Sequence, residues 1–355
     1  MTSRGLHLIA PGPLDQRTGG YLYNARIIEG LKALGWTVVT HALEGEFPAG
    51  DASAEASLAR ALERIPQGAR VLLDGLAMSS LPEPLWAHRD RLRLIALVHL
   101  HLADETGLVA SERERLTRLE RESLAQCEGA VATSAFTARG LGAYGIPASR
   151  VRAVLPGTAP AQVATGPGPG QPPRLLCVGS MSKRKGQDVL VRALARIRSL
   201  PWSCVCAGSL TQAPEFADSV LELARTLGLE GRIEFCDELG AEELDAHYHS
   251  ASIFVLPTHF ESYGMALTEA LVRGLPVVST LGGAVPDTVP PEVGVLVTPG
   301  DEQALAAVLR ELLSGPEGAV HRARLAEKSL RYGRSLPTWD DAALAFERAV
   351  LELLP

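Results

Sequence analysis

The sequence predicts an α/β protein of two domains, each built on a parallel sheet with helices on its faces. The chain has 355 residues, about twice the usual size of one domain. Short apolar runs alternate with longer amphipathic segments along the chain, a pattern typical of βα units. Residues 156–173 are crowded with proline and glycine, so neither a helix nor a central strand can run through them.

The first half of the chain predicts an N-terminal domain over residues 1–160, followed by a linker at 161–173. Apolar runs predict strands at Leu6–Ala10, Val71–Asp74, Leu94–Val98, Ala130–Thr133 and Arg152–Leu155. Amphipathic segments predict helices at Tyr21–Leu34, Ser53–Ile65 and Ser111–Cys127.

A second alternating series predicts a C-terminal domain over residues 174–336, and a last amphipathic segment predicts a helix at 337–355. Strands are expected at Leu175–Val178, Cys204–Ala207, Ile233–Cys236, Ile253–Leu256, Val277–Ser279 and Val293–Val297. Helices are expected at Gln187–Leu200, Glu215–Leu227, Ala241–His249, Tyr263–Arg273, Asp301–Ser314 and Ala319–Tyr332. Because open parallel sheets bind ligands at the carboxyl ends of their strands, we expect the loops of both domains to line a cleft between them.

The composition argues against a nucleic-acid-binding protein, a membrane-spanning protein and a secreted protein. The chain carries 34 Lys and Arg against 41 Asp and Glu, a formal charge of −7, whereas a nucleic-acid binder would show a basic excess. No apolar run approaches the roughly 18 residues of a membrane span, and the N-terminal apolar run is too short for a signal peptide. Five cysteines show no metal-ligand spacing. These features predict a reduced, cytoplasmic protein.

Two glutamates, Glu261 and Glu269, bracket seven residues around the start of a predicted helix. At 1.5 Å per residue they are roughly 12 Å apart along the helix axis. Two carboxylates that flank one scissile bond are about 5–9.5 Å apart, so this pair is better suited to hold opposite ends of an extended ligand. The pattern is also consistent with acids that favour the helix dipole and with a solvated position for Glu269.

Between the two glutamates, the helix start offers a site for an anion. Its first turn leaves backbone N–H groups unpaired at the positive end of the dipole, and Gly264 allows a ligand to approach the backbone closely. A loop acid, an anion site and a second acid would match the sugar, diphosphate and ribose of a nucleotide sugar.

A basic loop follows the first strand of the second half. Lys183, Arg184 and Lys185 stand between a strand end and a helix, and such a cluster is a strong site for a diphosphate. The alternative is a solvated basic loop without a ligand.

Loops of the first half contain further candidates. Gly19 and Gly20 precede a helix after the first strand, where an ordinary turn is the alternative. His99 and His101 follow the third strand; a structural role is the alternative, and two ligands are too few to specify a metal. Ser134 has the position of a helix N-cap.

The segment from Glu261 to Gly283 resembles the E-x7-E signature of retaining GT-B glycosyltransferases of family 4. The matching positions are Glu261, Ser262, Tyr263, Gly264, Glu269, Ala270, Gly274, Pro276, Val277, Val278, Gly282 and Gly283. The resemblance implies the GT-B fold, with two Rossmann-like domains facing across a cleft and a C-terminal helix that crosses back to the N-terminal domain.

The resemblance also implies roles for individual residues. It makes His99, Lys185 and Glu261 the catalytic residues, with His101 as a second candidate for the histidine. The donor-binding residues that it implies are Gly19, Gly20, Ser180, Arg184, Lys185, Asp237, Ser262, Tyr263, Gly264, Met265 and Glu269. The chain departs from the family pattern at Ser180, where an arginine is usual. Arg184 or Lys183 then supplies the second positive charge, or one cation suffices.

The reaction that the resemblance implies is transfer of a sugar, with retention, from a UDP, GDP or ADP sugar to a hydroxyl acceptor. The acceptor class, which comprises glycans, lipids and small molecules, stays open, and no cofactor is expected. The chain has no D-x-D sequence, which favours metal-independent chemistry. A sugar-nucleotide epimerase and a non-catalytic nucleotide-binding subunit are the alternatives. Opposite charges are balanced over residues 111–127 and favour a solvated helix face, with peripheral membrane contact as the second interpretation.

Overall fold

A computed structural model describes residues 4–354, so the predicted outer bounds at residues 1 and 355 lie outside the described residues. The chain forms two compact units. The first unit comprises the residues up to Gly157 together with those from Pro337, and the second unit comprises Thr158–Leu336. None of the helices within residues 4–354 is both long enough and apolar enough to cross a bilayer.

The first unit is built on a six-stranded parallel sheet in the order β2-β1-β3-β4-β5-β6. Its elements up to the unit boundary are β1 Gly5–Pro11, α1 Gly19–Ala33, β2 Thr37–Leu43, α2 Ala52–Arg64, β3 Arg70–Asp74, α3 Gly75–Met78, α4 Pro82–His88, β4 Arg93–Val98, α5 Ala110–Leu124, β5 Gly129–Ala132, α6 Ala135–Gly140 and β6 Val151–Ala153. The predicted strands are confirmed to within a few residues, β2, α3 and α4 are additions, and α6 follows the predicted N-cap at Ser134.

The strand β2 escaped prediction because it lies at the edge of the sheet. It pairs only with β1, in register from Thr37 to Leu43, and Leu43 is its only buried residue. A strand whose side chains are mostly exposed shows neither the continuous apolar run of a central parallel strand nor a clean alternation.

The second unit is also built on a six-stranded parallel sheet, in the order β12-β11-β10-β7-β8-β9. Its elements are β7 Arg174–Val178, α7 Gln187–Ala195, β8 Ser203–Ala207, α8 Pro214–Thr226, β9 Ile233–Cys236, α9 Ala241–Ser250, β10 Ile253–Val255, α10 Met265–Val272, β11 Val277–Thr280, α11 Val285–Thr288, β12 Gly294–Val297, α12 Glu302–Leu313 and α13 Gly315–Gly333. The two six-stranded parallel sheets confirm the predicted α/β class.

Some predicted helix bounds in the second unit were wrong. The helix predicted at Tyr263–Arg273 begins at Met265, because Gly264 has a φ of 93° and ends the preceding loop. The helix predicted from Gln187 ends at Ala195 rather than Leu200.

The stretch predicted as a linker lies wholly in the second unit and is hydrogen-bonded to it. The Ala164 amide donates to the Arg273 carbonyl at 2.9 Å, and the amides of Thr165 and Gly166 donate to the His249 carbonyl at 2.9 and 3.2 Å. Proline and glycine therefore exclude a helix or strand here, but residues 164–166 are still hydrogen-bonded to the rest of the second unit.

The last helix, α14 Trp339–Leu353, belongs to the first unit. Thr338 caps its start, with Oγ1 accepting from the Asp341 amide at 3.2 Å. Phe346 on its inner face is fully buried against the first unit's core. A Cβ atom on Gly30 of α1 would stand 2.4 Å from the Ala343 Cβ, so the two helices touch where α1 has no side chain. The predicted return of the C-terminal helix is confirmed.

Candidate functional site

Three loops of the second unit meet at the carboxyl ends of β11, β10 and β7, which are neighbours in the sheet. The His259 amide and the Thr258 hydroxyl both donate to the Arg184 carbonyl, at 2.7 and 2.8 Å. The Ala284 amide donates to the Glu261 carbonyl at 2.7 Å. Backbone hydrogen bonds therefore fix the loops that carry the predicted cations and the predicted loop glutamate against each other.

Glycine is required where these loops touch. Gly186 has a φ of 71°, and a Cβ atom there would stand 2.2 Å from the Pro257 carbonyl oxygen. Gly283 has a φ of 62°, and its Cβ would stand 2.3 Å from the Glu261 carbonyl oxygen. Real Cβ atoms do not approach so closely, and L residues rarely adopt these angles. Packing therefore requires glycine at Gly186, which follows Lys185, and at Gly283, which is also one of the positions that carry the resemblance.

Glu261 is held by two of the three cations of the β7–α7 loop. Its residue exposure is 4%, and Lys185 Nζ donates to its Oε1 at 2.7 Å. Arg184 Nη1 lies 3.9 Å from Glu261 Oε2 and donates to the Phe260 carbonyl at 3.4 Å. Lys183 is exposed. A buried carboxylate requires such partners, and two cations around one carboxylate leave a net positive charge at the sheet edge.

Glu269, on α10, has a different environment. The Tyr248 hydroxyl donates to its Oε2 at 2.9 Å, and Arg273 Nη1 donates to its carbonyl at 3.0 Å. The Arg273 guanidinium is also bonded to Asp245 at 2.7 Å and lies 4.5 Å above the Tyr248 ring. Burial raises the pKa of Glu269, although the hydrogen bond from Tyr248 acts to lower it.

The other predicted donor-binding residues of this unit differ in their burial and contacts. Ser180 follows β7, and its carbonyl accepts from Gln187 Nε2 at 3.0 Å. Ser262 and Met265 are half-buried beside Gly264. The Tyr263 side chain is buried, which raises the pKa of its hydroxyl.

Asp237 is not brought to the cation cluster by any hydrogen bond among the described residues. It is exposed at the end of the edge strand β9, where its Oδ1 accepts from the Leu210 amide at 3.0 Å.

In the first unit, the predicted glycine pair and the predicted histidine lie together. A Cβ atom on Gly20 would stand 3.5 Å from the His99 ring. His99 Nε2 lies 3.1 Å from Asn24 Oδ1 and 3.4 Å from Asp74 Oδ2. The Tyr23 ring and the imidazole are nearly perpendicular, at 82°, with centroids 5.3 Å apart.

The second histidine candidate, His101, has a structural environment. It is buried, with Nδ1 3.5 Å from Glu120 Oε1 and with Tyr144 stacked on its ring at 4.5 Å. Burial disfavours the imidazolium, but Glu120, the Thr137 carbonyl and Asp104 together outweigh it and raise the pKa of His101. Ser134 is the N-cap of α6, as predicted, and its Oγ accepts from the Thr137 amide at 3.0 Å.

Sequence reasoning missed three polar residues that touch the predicted ones: Asn24, Asp74 and Tyr248. Asp74 ends the strand β3, and Asn24 interrupts the buried stripe of α1. Both are polar residues at positions where the hydrophobic pattern of the strand or helix predicts an apolar residue. This departure from the hydrophobic pattern is the sequence signal that could have identified them. Within residues 4–354 there is no group of three or more His, Cys, Asp or Glu side chains placed to hold a metal ion.

Residues 162–331 match the family model described as Glycosyl transferases group 1. This segment is nearly the whole second unit. The second unit is therefore similar in sequence to the group 1 glycosyl transferases. Its sequence relatives include the D-inositol 3-phosphate glycosyltransferase of Salinispora tropica, 34% identical over 171 residues that cover 46% of this chain and 35% of the relative. The chain spans about half or less of the length of the curated relatives it matches.

Solved structures match both units of the chain. The sucrose-phosphate synthase of Thermosynechococcus elongatus has a TM-score of 0.80 at 21% identity, over 97% of both chains. HepE of Anabaena, solved in complex with UDP and glucose, has a TM-score of 0.74 at 16% identity, over 97% of this chain and 98% of that one. The chain therefore has the GT-B fold.

Proposed function

We propose that the protein is a retaining, metal-independent glycosyltransferase that moves a sugar from a nucleotide-diphosphate sugar to a hydroxyl acceptor. The observation that carries this proposal is the pairing of Lys185 and Arg184 with the buried carboxylate of Glu261 at the carboxyl edge of a parallel sheet. Group 1 relatives and the UDP and glucose in the HepE complex support a nucleotide-sugar donor.

The positive charge of the β7–α7 loop suits the leaving group. When the bond between sugar and phosphate breaks, negative charge develops on the diphosphate, and fixed cations stabilise it where it appears. In the proposal, Lys185 stabilises the charge on the diphosphate. Arg184 supplies the second positive charge in place of the arginine usual at position 180, because the Arg184 guanidinium contacts Glu261 whereas Lys183 is exposed. These cations meet the electrostatic demand without a metal.

Glu261 orients the donor sugar in this proposal, and Glu269 binds the ribose. The first turn of α10 adds backbone N–H groups for the diphosphate, since its N-cap Gly264 has no side chain to cap them. His99, Gly19 and Gly20 of the first unit contact the sugars. The acceptor is a hydroxyl of a glycan, a lipid or a small molecule.

The buried free thiols of Cys127, Cys177, Cys204 and Cys206 support the proposed cytoplasmic location, since reduced cysteines persist there. In α5 the ion pairs Arg115–Glu112 and Arg118–Glu122 balance the exposed charges. As the second part of this proposal, the protein contacts the inner face of the membrane peripherally from the cytoplasm.

The test is a panel of UDP, GDP and ADP sugars, scored for binding, donor hydrolysis and transfer to hydroxyl acceptors. We expect one nucleotide series to bind and turn over. Lys185→Ala should lower turnover at least about 100-fold, the effect of removing one preorganised electrostatic contact.

Lys183→Ala is the matched control, because it removes a neighbouring but exposed ammonium and should retain most of the activity. Equal activity in both variants would refute the site. Consumption of donor with formation of its epimer would indicate the epimerase, and nucleotide binding without turnover would indicate the binding subunit.

A further inference from the structure

A buried polar cluster in the first unit joins three elements that no short motif connects. Asn24 lies on α1, Asp74 ends β3 and His99 follows β4. Asn24 and Asp74 are 6% and 4% exposed, whereas the His99 side chain is 18% exposed. Buried polar groups of this kind are retained where each finds a partner, so the pattern of donors and acceptors can be worked out.

Asp74 sets that pattern because it is ionised. Its Oδ1 accepts from the Leu76 amide at 2.9 Å, and its Oδ2 accepts from Asn24 Nδ2 at 2.7 Å. Burial opposes the charge, but hydrogen bonds from His99, Asn24 and the Leu76 amide outweigh it and hold the pKa of Asp74 below its ordinary value. An ionised carboxylate only accepts hydrogen bonds.

The carboxylate fixes the orientation of the Asn24 amide. Asn24 must turn Nδ2 toward Asp74, so its Oδ1 faces His99 Nε2 at 3.1 Å. An amide oxygen also only accepts. Nε2 thus faces two acceptors, Asn24 Oδ1 and Asp74 Oδ2, and must carry a hydrogen.

We infer that Asp74 and Asn24 are positioning residues that fix the Nε2–H form of His99, which leaves the Nδ1 lone pair to accept a hydrogen bond from a sugar hydroxyl. Within residues 4–354, no hydrogen bond engages Nδ1. Gly20 and the Tyr23 ring also pack against the imidazole. The identity of the ligand as a sugar rests on the proposed function, whereas the hydrogen position does not.

The hydrogen position is tested by the long-range proton–nitrogen NMR spectrum of the histidine rings at about pH 8, where an ordinary imidazole is neutral. His99→Gln identifies the signals of His99. We expect the Nε2–H pattern in the wild type and a mixture of both forms in Asn24→Ala and Asp74→Asn.

Asp51→Asn is the matched control. Asp51 caps α2 in the same unit, with its carboxylate accepting from the amides of Ala54 and Glu46 at 2.9 and 3.1 Å, and within residues 4–354 it makes no hydrogen bond to a histidine. It should leave the His99 pattern unchanged. An Nδ1–H pattern in the wild type, or an unchanged pattern in both Asn24→Ala and Asp74→Asn, overturns the inference.

Turnover tests the role of Nδ1. Asp74→Asn and Asn24→Ala should each lower kcat/KM in proportion to the fraction of the Nε2–H form that is lost, about 2- to 10-fold, because only that form offers the Nδ1 lone pair, while Asp51→Asn retains wild-type kcat/KM. Wild-type kcat/KM in both variants, with the Nε2–H form lost, would overturn the ligand role of Nδ1. The Nε2–H form in a protein that transfers no sugar would instead refute the proposed function and leave the assignment of the hydrogen intact.

Discussion

The two units hold polar clusters that are built in opposite ways. In the second unit, loops that pack backbone against backbone bring Lys185 and Glu261 together, and glycines stand at fixed places where the loops touch. In the first unit, side chains of Asn24, Asp74 and His99 from three separate segments build the cluster. Close backbone contact leaves a readable motif in the sequence, whereas a cluster of side chains from separate elements leaves only isolated polar residues.

The largest effect should come from the carboxylate of the second unit. Glu261→Gln keeps the size of the side chain but removes the charge that holds Lys185 at 2.7 Å. We expect kcat for transfer to fall about 100- to 1,000-fold, the range for loss of one preorganised electrostatic contact.

Glu230→Gln is the control for this change, because Glu230 is an exposed glutamate of the same unit and its variant should keep wild-type kcat. If Glu261→Gln also keeps it, the cluster of the second unit is structural and the contrast between the units disappears.

A pair of glycine variants tests the packing side of the comparison. Gly283→Ala should lower the free energy of unfolding by about 1–3 kcal/mol, because it forces a side chain into a left-handed conformation and toward the Glu261 carbonyl. Gly20→Ala places its Cβ at an ordinary contact distance of 3.5 Å from the His99 ring. It should change the free energy by less than about 1 kcal/mol, in the stabilising direction, because alanine favours the helix. Urea unfolding of both variants measures the difference, and equal losses would contradict it.

The smallest effect concerns the pH dependence of the second unit. Burial raises the pKa of Glu269 in the folded protein, so the unfolded chain releases this proton at lower pH. The free energy of unfolding should therefore fall as pH rises from the ordinary glutamate range through the raised value. Tyr248→Phe removes a hydrogen bond that lowers this pKa and should move the fall to higher pH.

Unfolding in urea from about pH 4 to 8 brackets the ordinary and raised glutamate pKa values. Glu269→Gln serves as the reference that lacks the titrating group, and a pH profile identical to that of the wild type would show that Glu269 contributes nothing to it.

Much of the fold was predictable because both sheets are parallel and buried. Central strands such as β4 are continuous apolar runs, and such runs are visible without any partner. The edge strand β2 was not predictable in this way, since its side chains are mostly exposed. The start of α10 was placed two residues early, because Gly264 adopts a left-handed conformation that ends the preceding loop, and a Cβ atom there would stand 2.6 Å from Leu267 Cδ1.

The candidate site was predictable to the extent that it lies in motifs. Residue type and spacing pointed to Lys185 and Glu261, and the structure brings them into contact. The partners Asn24, Asp74 and Tyr248 depend on which strands and helices become neighbours, and spacing along the chain does not contain that information. The choice between Arg184 and Lys183 likewise depended on the direction of each side chain.

The return of α14 to the first unit has a consequence for synthesis. Phe346 and its neighbours on α14 complete a core that also contains Leu6, Tyr23 and Trp36. The ribosome makes the α14 residues only after the whole second unit. The second unit is complete once residue 336 has emerged, whereas the first unit, although begun earlier, cannot close this core until α14 has emerged. The unit that is begun first is therefore the one whose core is completed last.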